Sequence, residues 1–144
     1  MTYEDTLDAI KAMDSQIEVA QFRIPVLAEK VKSEFKNCDL AYKDFVNYMQ
    51  GDFNSVNVKY SKAIRALEKN PTADNFLVVQ NVFQEAIVVR EKLNSFDSAR
   101  HAANDLWTDA RTIQNLNEEA IAEFQNRKNQ LISYLLLLAL ISLI

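Results

Sequence analysis

Asp97, His101, Asp105 and Asp109 recur every four residues, the spacing that brings side chains one above another on a single helix face. Imidazole and carboxylates together form a ligand set for a divalent cation. The set is incomplete here. It lies on one helix, His101 is the only histidine, and the Glu-x-x-His pair that di-metal helical bundles draw from facing helices does not occur. The stripe therefore reads as a solvated acidic face, and neither a metal nor another cofactor is expected. Nucleophilic catalysis needs a base beside a hydroxyl or thiol, a base that His101 alone would have to provide. Cys38 falls on an apolar seam, where a cysteine behaves as a small core residue. A single glycine, Gly51, cannot build a phosphate-binding loop. No catalytic residue, no enzyme activity and no small-molecule substrate are expected.

Composition narrows the remaining classes. Apolar residues make up 49% of the 144-residue chain and charged ones 25%, which gives material for a core and excludes disorder. One Gly and two Pro allow few turns, so long helices follow. Sixteen basic and twenty acidic residues leave a net charge of -4 with no basic block, so nucleic acid is not an expected partner. One cysteine permits no internal disulfide and fits a reducing compartment. Glu4, Asp5 and Asp8 within the first ten residues, unaccompanied by any basic group, are the opposite of a secretion signal.

The helices that must position these residues show in the spacing of apolar side chains. From Leu7 the apolar positions run 10, 13, 17, 20, 24, 27 and 31, then 35, 38, 42, 45 and 49. This is a near-heptad seam with one extra four-residue step between Val31 and Phe35. Val19, Phe22 and Val26 widen the stripe, which suggests packing against at least two other helices. Pro25 removes a backbone donor and frees the carbonyl of Gln21, but the seam holds its phase through Ile24 and Leu27, so a kink is expected rather than a break. Gly51 stands where a helix C-cap would, with Asp52, Asn54 and Ser55 as caps for a shorter second helix ending at Asn70-Pro71. Thr72 or Asp74 caps the third. Apolar positions then continue at 76, 79, 82, 83, 86, 89, 93, 96, 99, 103, 106, 110, 113, 116, 120, 124 and 131. One helix could run through that whole stretch, the polar cluster of residues 94–98 being the only candidate turn. The valines between Phe76 and Val89 raise a strand pair as the lesser alternative. Trp107 beside the seam suggests a half-buried helix contact.

Leu131 to Ile144 carries no charge, and twelve of its fourteen residues are apolar. Ser133 and Ser142 fall on opposite sides of a helix, so no wettable face results. Fourteen helical residues span only about 21 Å against a hydrocarbon core of about 30 Å, so partial insertion into lipid is expected rather than a crossing; the other readings of the run are the core of an assembly and the central helix of the chain's own bundle. Arg127 and Lys128 immediately before the run are the expected juxtamembrane cations. The candidate contact residues for lipid or for assembly are Leu131, Ile132, Tyr134, Leu135, Leu136, Leu137, Leu138, Leu140, Ile141, Leu143 and Ile144.

The expected fold is all-α, an elongated bundle of a long kinked N-terminal helix, a short middle helix and a long C-terminal arm. Residues 1–130 form the amphipathic bundle and 131–144 the apolar tail. The favoured function is a non-enzymatic scaffold or assembly protein held to a membrane by the tail, in the cytoplasm or on the cytoplasmic face of a membrane. The alternatives are a self-assembling structural subunit with the tail as its assembly core, and a membrane-perturbing pore or lysis protein. The expected partners are membrane lipid or copies of the chain, as a homo-oligomer.

Overall fold

In the computed structural model, which describes residues 2–143, the chain is all-α, and no strand occurs among the described residues. Helix α1 spans Tyr3–Tyr48, a π-turn spans Met49–Phe53, α2 spans Asn54–Lys69 and α3 spans Ala73–Ser142. The helices divide into two compact units, the first made of Met1–Ser33 with Thr108–Ile144 and the second of Glu34–Trp107.

In the first unit α1 and α3 lie side by side and antiparallel. Asp14 bonds Lys128 at 2.5 Å, and farther along both helices the Ala20 carbonyl accepts a hydrogen bond from Asn117 at 2.9 Å. A capping box starts α1: the Thr2 hydroxyl accepts from the Asp5 amide at 3.1 Å while the Asp5 carboxylate accepts from the Thr2 amide at 3.3 Å. The seam of α1 runs through the buried or half-buried positions 6, 10, 13, 17, 20, 27 and 31, with Leu7 and Ala9 half-buried beside it, a 3–4 repeat whose one gap is the exposed Ile24. Pro25 sits inside continuous helix, with helical residues on both sides. The residues that widen the α1 stripe, Val19, Phe22 and Val26, are not covered by further helices. They stay exposed, Phe22 to 80%, because this unit offers α1 only one partner.

In the second unit the buried side of α1 runs 34, 38, 41, 45 and 48. The expected step to Phe35, Tyr42 and Met49 is thus not taken; Glu34, Ala41 and Tyr48 keep the strict 3–4 spacing, and those three larger residues stay exposed. The seam resumes in α2 at 53, 56, 60, 63 and 67. The step from 48 to 53 is five residues, one more than a heptad allows, and the π-turn lies in that interval. The backbone leaves helical geometry at Gly51, so the chain kinks there and the seam resumes past the surplus residue. Gly51 is therefore no C-cap: its backbone (φ -91°, ψ -107°) is non-helical but not left-handed. None of Asp52, Asn54 or Ser55 caps α2 either, since α2 starts from helical residues without a side-chain cap.

A tight hairpin joins α2 to α3. Pro71 disfavours helical geometry at Asn70, which is extended (φ -140°, ψ 88°). Thr72 caps α3 as expected, accepting from the Asn75 amide at 3.2 Å. The Asn75 side chain reaches back to the Asn70 carbonyl at 2.8 Å, tying one helix start to the other helix end.

No turn interrupts α3 at residues 94–98. Ser95 donates to the Glu91 carbonyl at 3.1 Å and Asp97 bonds Arg100 at 2.7 Å, so the polar groups that suggested a turn are satisfied within the helix. Valine between Phe76 and Val89 is helical too: Val82 and Val89 are buried in the seam.

Candidate functional site

The side of α3 that meets its partners repeats with strict 4–3 spacing in both units. It runs 75, 79, 82, 86, 89, 93, 96, 100, 103 and 107 in the second, and 110, 114, 117, 121, 124, 128, 131, 135 and 138 in the first. Arg100, Gln114, Asn117 and Lys128 occupy seam positions. Ala99, Leu106, Ile113 and Leu116, expected on the seam, are exposed instead. Following only the apolar side chains therefore leads onto an outer face of α3. A strict heptad count that admits polar residues finds the true seam.

Asn117, Arg100 and Lys128 each have a partner that explains their place in the seam. Asn117, only 9% exposed, donates to the Ala20 carbonyl, one residue before the Gln21 carbonyl that Pro25 leaves without its helical donor. Arg100 lies 5.1 Å from the centre of the Phe45 ring and bonds Asp97. That bond holds the Asp97 carboxyl below its ordinary range, reinforced by the charges of Arg100 and His101. Trp107 is half-buried, as expected, with its ring 5.5 Å from that of Phe35. The Tyr48 ring lies 5.0 Å from that of Phe96. Partial burial and the neighbouring Asp52 raise the Tyr48 hydroxyl above its usual value.

The residues first considered for chemistry do not converge. His101 Nε2 is 3.6 Å from an Asp97 oxygen and 3.3 Å from Arg100 Nη2, an exposed surface network. Among the described residues no three His, Cys, Asp or Glu side chains gather as metal ligands. The Cys38 thiol is 3.9 Å from the Asn104 side-chain oxygen.

The surfaces of the first unit are sharply different on its two sides. One groove of about 450 Å³ is lined by Asp14, Glu18, Gln21, Gln125, Lys128 and Asn129, with Ile17 at its floor. The other, of about 400 Å³, is lined by Val19, Ala20, Ala120 and Phe124, with Ser15, Gln16, Arg23 and Asn117 around them. Val26 follows Val19 by seven residues on α1, and Ile113 and Leu116 precede Ala120 by seven and four on α3, so helical spacing aligns them with the second groove. All three are exposed.

The tail divides the same way. Leu131, Ile132, Leu135 and Leu138 are half-buried. Tyr134, Leu136, Leu137, Leu140, Ile141 and Leu143 are exposed, Leu143 to 83%. Ile144 lies outside the described residues. Ser142 donates to the Leu138 carbonyl at 3.0 Å, which removes its hydroxyl from the surface chemistry. Of the two expected juxtamembrane cations, Arg127 is exposed while Lys128 is engaged by Asp14. Among the described residues no helix is long and apolar enough to cross a membrane. No protein family, curated protein or solved structure matches the chain.

Proposed function

We propose that this chain is a non-enzymatic helical scaffold that works by assembly, its outward apolar stripes being covered by further helices. The observation that carries this reading is the second apolar stripe of the first unit. Val19, Phe22 and Val26 on α1 and Ile113 and Leu116 on α3 are all exposed, although each helix already has a filled seam. Helices with apolar residues on two sides belong in bundles of more than two. Leaving five large apolar side chains in water forgoes about 1.5 to 3 kcal/mol for each one that full burial would gain.

The tail favours a second reading, in which the scaffold is held to a membrane. Leu136, Leu137, Leu140, Ile141 and Leu143 are exposed and uncharged, and such a surface can enter the interfacial region of a bilayer without crossing it. Two features weigh against lipid as the main partner. Lys128 is already paired, and the antiparallel pairing of Asp14 with Lys128 sets Glu4, Asp5 and Asp8 alongside the tail, where they repel anionic headgroups. Membrane-perturbing activity would need the tail to leave α1 altogether, at the loss of the half-buried contacts of Leu131, Leu135 and Leu138.

The test is a paired measurement on the full chain. Light scattering gives its mass in solution, and sedimentation with phosphatidylcholine and with phosphatidylserine-containing vesicles gives its lipid binding. Assembly predicts a mass above that of one chain with or without vesicles. A monomer that sediments with vesicles, and loses this when Leu137 and Ile141 are replaced by Glu, would establish the membrane reading instead.

A further inference from the structure

We infer that the Val19 side of the first unit is the contact surface for a second copy of this chain, the two copies pairing face to face so that α1 of each lies over α3 of the other. This rests on the assembly reading and gives it a surface, a partner and an orientation.

Three observations select the occupant. The first is the apolar groove itself, lined by Val19, Ala20, Ala120 and Phe124 and continued by exposed Val26, Ile113 and Leu116. It lies on one side of the unit only, since the opposite groove is polar and closed by the Asp14–Lys128 ion pair. The second is charge. On α1 the edge of the apolar groove carries Arg23, and Lys30 follows it by seven residues on the same helix face. On α3 the corresponding edge carries Glu119 and Glu123, adjacent to Ala120 and Leu116 by helical spacing. All four are exposed, and none has an ion-pair partner among the described residues. Of these, Arg23 on one helix and Glu119 on the other lie near the middle of the surface and make it complementary to itself under a two-fold rotation, which sets each α1 over the other copy's α3. An anionic lipid surface would meet the acidic α3 row with repulsion.

The third observation is level. Ala20 and Asn117 are bonded across the pair, and in antiparallel helices Arg23 and Glu119 then lie on either side of that level, about 7.5 Å apart in height. A two-fold axis parallel to the helices keeps that offset, which the long side chains of Arg23 of one copy and Glu119 of the other can span. The product is a four-helix layer pair with the apolar groove at its centre and the charges at its rim, the usual distribution in a specific interface.

The experiment is sedimentation equilibrium on the full chain, with circular dichroism as the check of folding. Leu116→Lys places a charge in the centre of the surface and is expected to weaken self-association at least tenfold. Arg23→Glu sets like charges against the α3 row and is expected to weaken it by a similar factor. Adding Glu119→Arg and Glu123→Arg to Arg23→Glu restores opposite charges and is expected to return association to within threefold of the parent. Glu18→Lys, on the polar side, is expected to leave it unchanged. Self-association indifferent to Leu116→Lys and Arg23→Glu overturns this surface while leaving assembly itself standing. A chain that stays helical and monomeric at every concentration overturns both. Vesicle binding by a monomer, lost in Leu116→Lys, would assign the surface to lipid and likewise overturn the pairing.

Discussion

Asn117 shows how much a single side chain decides in a two-helix seam. It is a buried amide with one strong bond, to the Ala20 carbonyl at 2.9 Å, in a seam that also buries Ile17 and Ala110. A lone buried Asn in a helical seam sets register at a cost in stability. Asn117→Leu is therefore expected to raise the melting temperature and to broaden the distribution of oligomers, read by thermal denaturation and by sedimentation velocity. A variant that melts lower, with a single unchanged species, would mean that the amide stabilises without specifying register. Asp97 acts in a different way. Its hydrogen bond from Arg100 lowers its folded-state pKa, so the stabilisation is present above the ordinary carboxylate value of about 3.9. It is lost as pH falls through the lowered value. Asp97→Asn should melt below the parent at neutral pH, and the difference should disappear under acid conditions where the parent's Asp97 is protonated. A gap that persists or grows in acid would assign the effect to something other than this carboxylate. None of this residue-scale detail is legible in the sequence. Asn117, Arg100 and Gln114 look like surface residues until the strict heptad is counted through them, and the partners of the first two, Ala20 and Phe45, lie far back along the chain on α1.

At the scale of elements the sequence was more readable, and most of its failures share a cause. Three helices, the boundary at Gly51, the Thr72 cap, the stop at Asn70-Pro71 and passage through Pro25 all follow from local chemistry. The misreadings were the extra step at Phe35, the seam through Leu106 and Ile113, and the turn near Ser95. The turn came from reading a polar cluster as a loop, and the other two from assuming that apolar residues mark the buried side. That assumption fails in a chain with a second apolar stripe, because the outward stripe is as hydrophobic as the inward one. The π-turn was likewise hidden, since a one-residue surplus appears only when the seam of α1 and that of α2 are counted against an uninterrupted α3. It yields a sharp test. Deleting Gly51, where an added Cβ would meet open space, turns the five-residue step from 48 to 53 into a regular four. The shortened chain is expected to keep its helical content, with α1 and α2 joined as one α-helix. Its melting temperature should stay level or rise, because regular helix replaces the kink at Gly51. Loss of helicity, or a fall of several degrees, would show that the inserted residue does more than take up phase.

At the scale of the whole molecule, the apolar surfaces and the function are one problem. A chain whose seams are filled but whose outer stripes and tail stay apolar is more stable with those surfaces covered, and what covers them determines how stability responds to concentration. If copies of the chain do so, association is linked to folding by mass action. Once concentration exceeds the dissociation constant, each further tenfold adds about 1.4 kcal/mol. At about 2 to 4 °C per kcal/mol for a chain near this size, the melting temperature should climb by about 3 to 6 °C per tenfold. The same rise should fail in Leu116→Lys, whose charge sits on the stripe, and persist in Glu18→Lys, whose charge sits on the polar side. If lipid covers them, the melting temperature is flat in protein concentration and rises with vesicle concentration instead, and the tail variant Leu137→Glu with Ile141→Glu abolishes that rise. The two dependences are separable in one set of denaturation curves, taken across a hundredfold range of protein with and without phosphatidylcholine vesicles. A melting temperature that moves with neither would mean that the filled seams alone stabilise the chain, and assembly through the outer stripes would have to be abandoned.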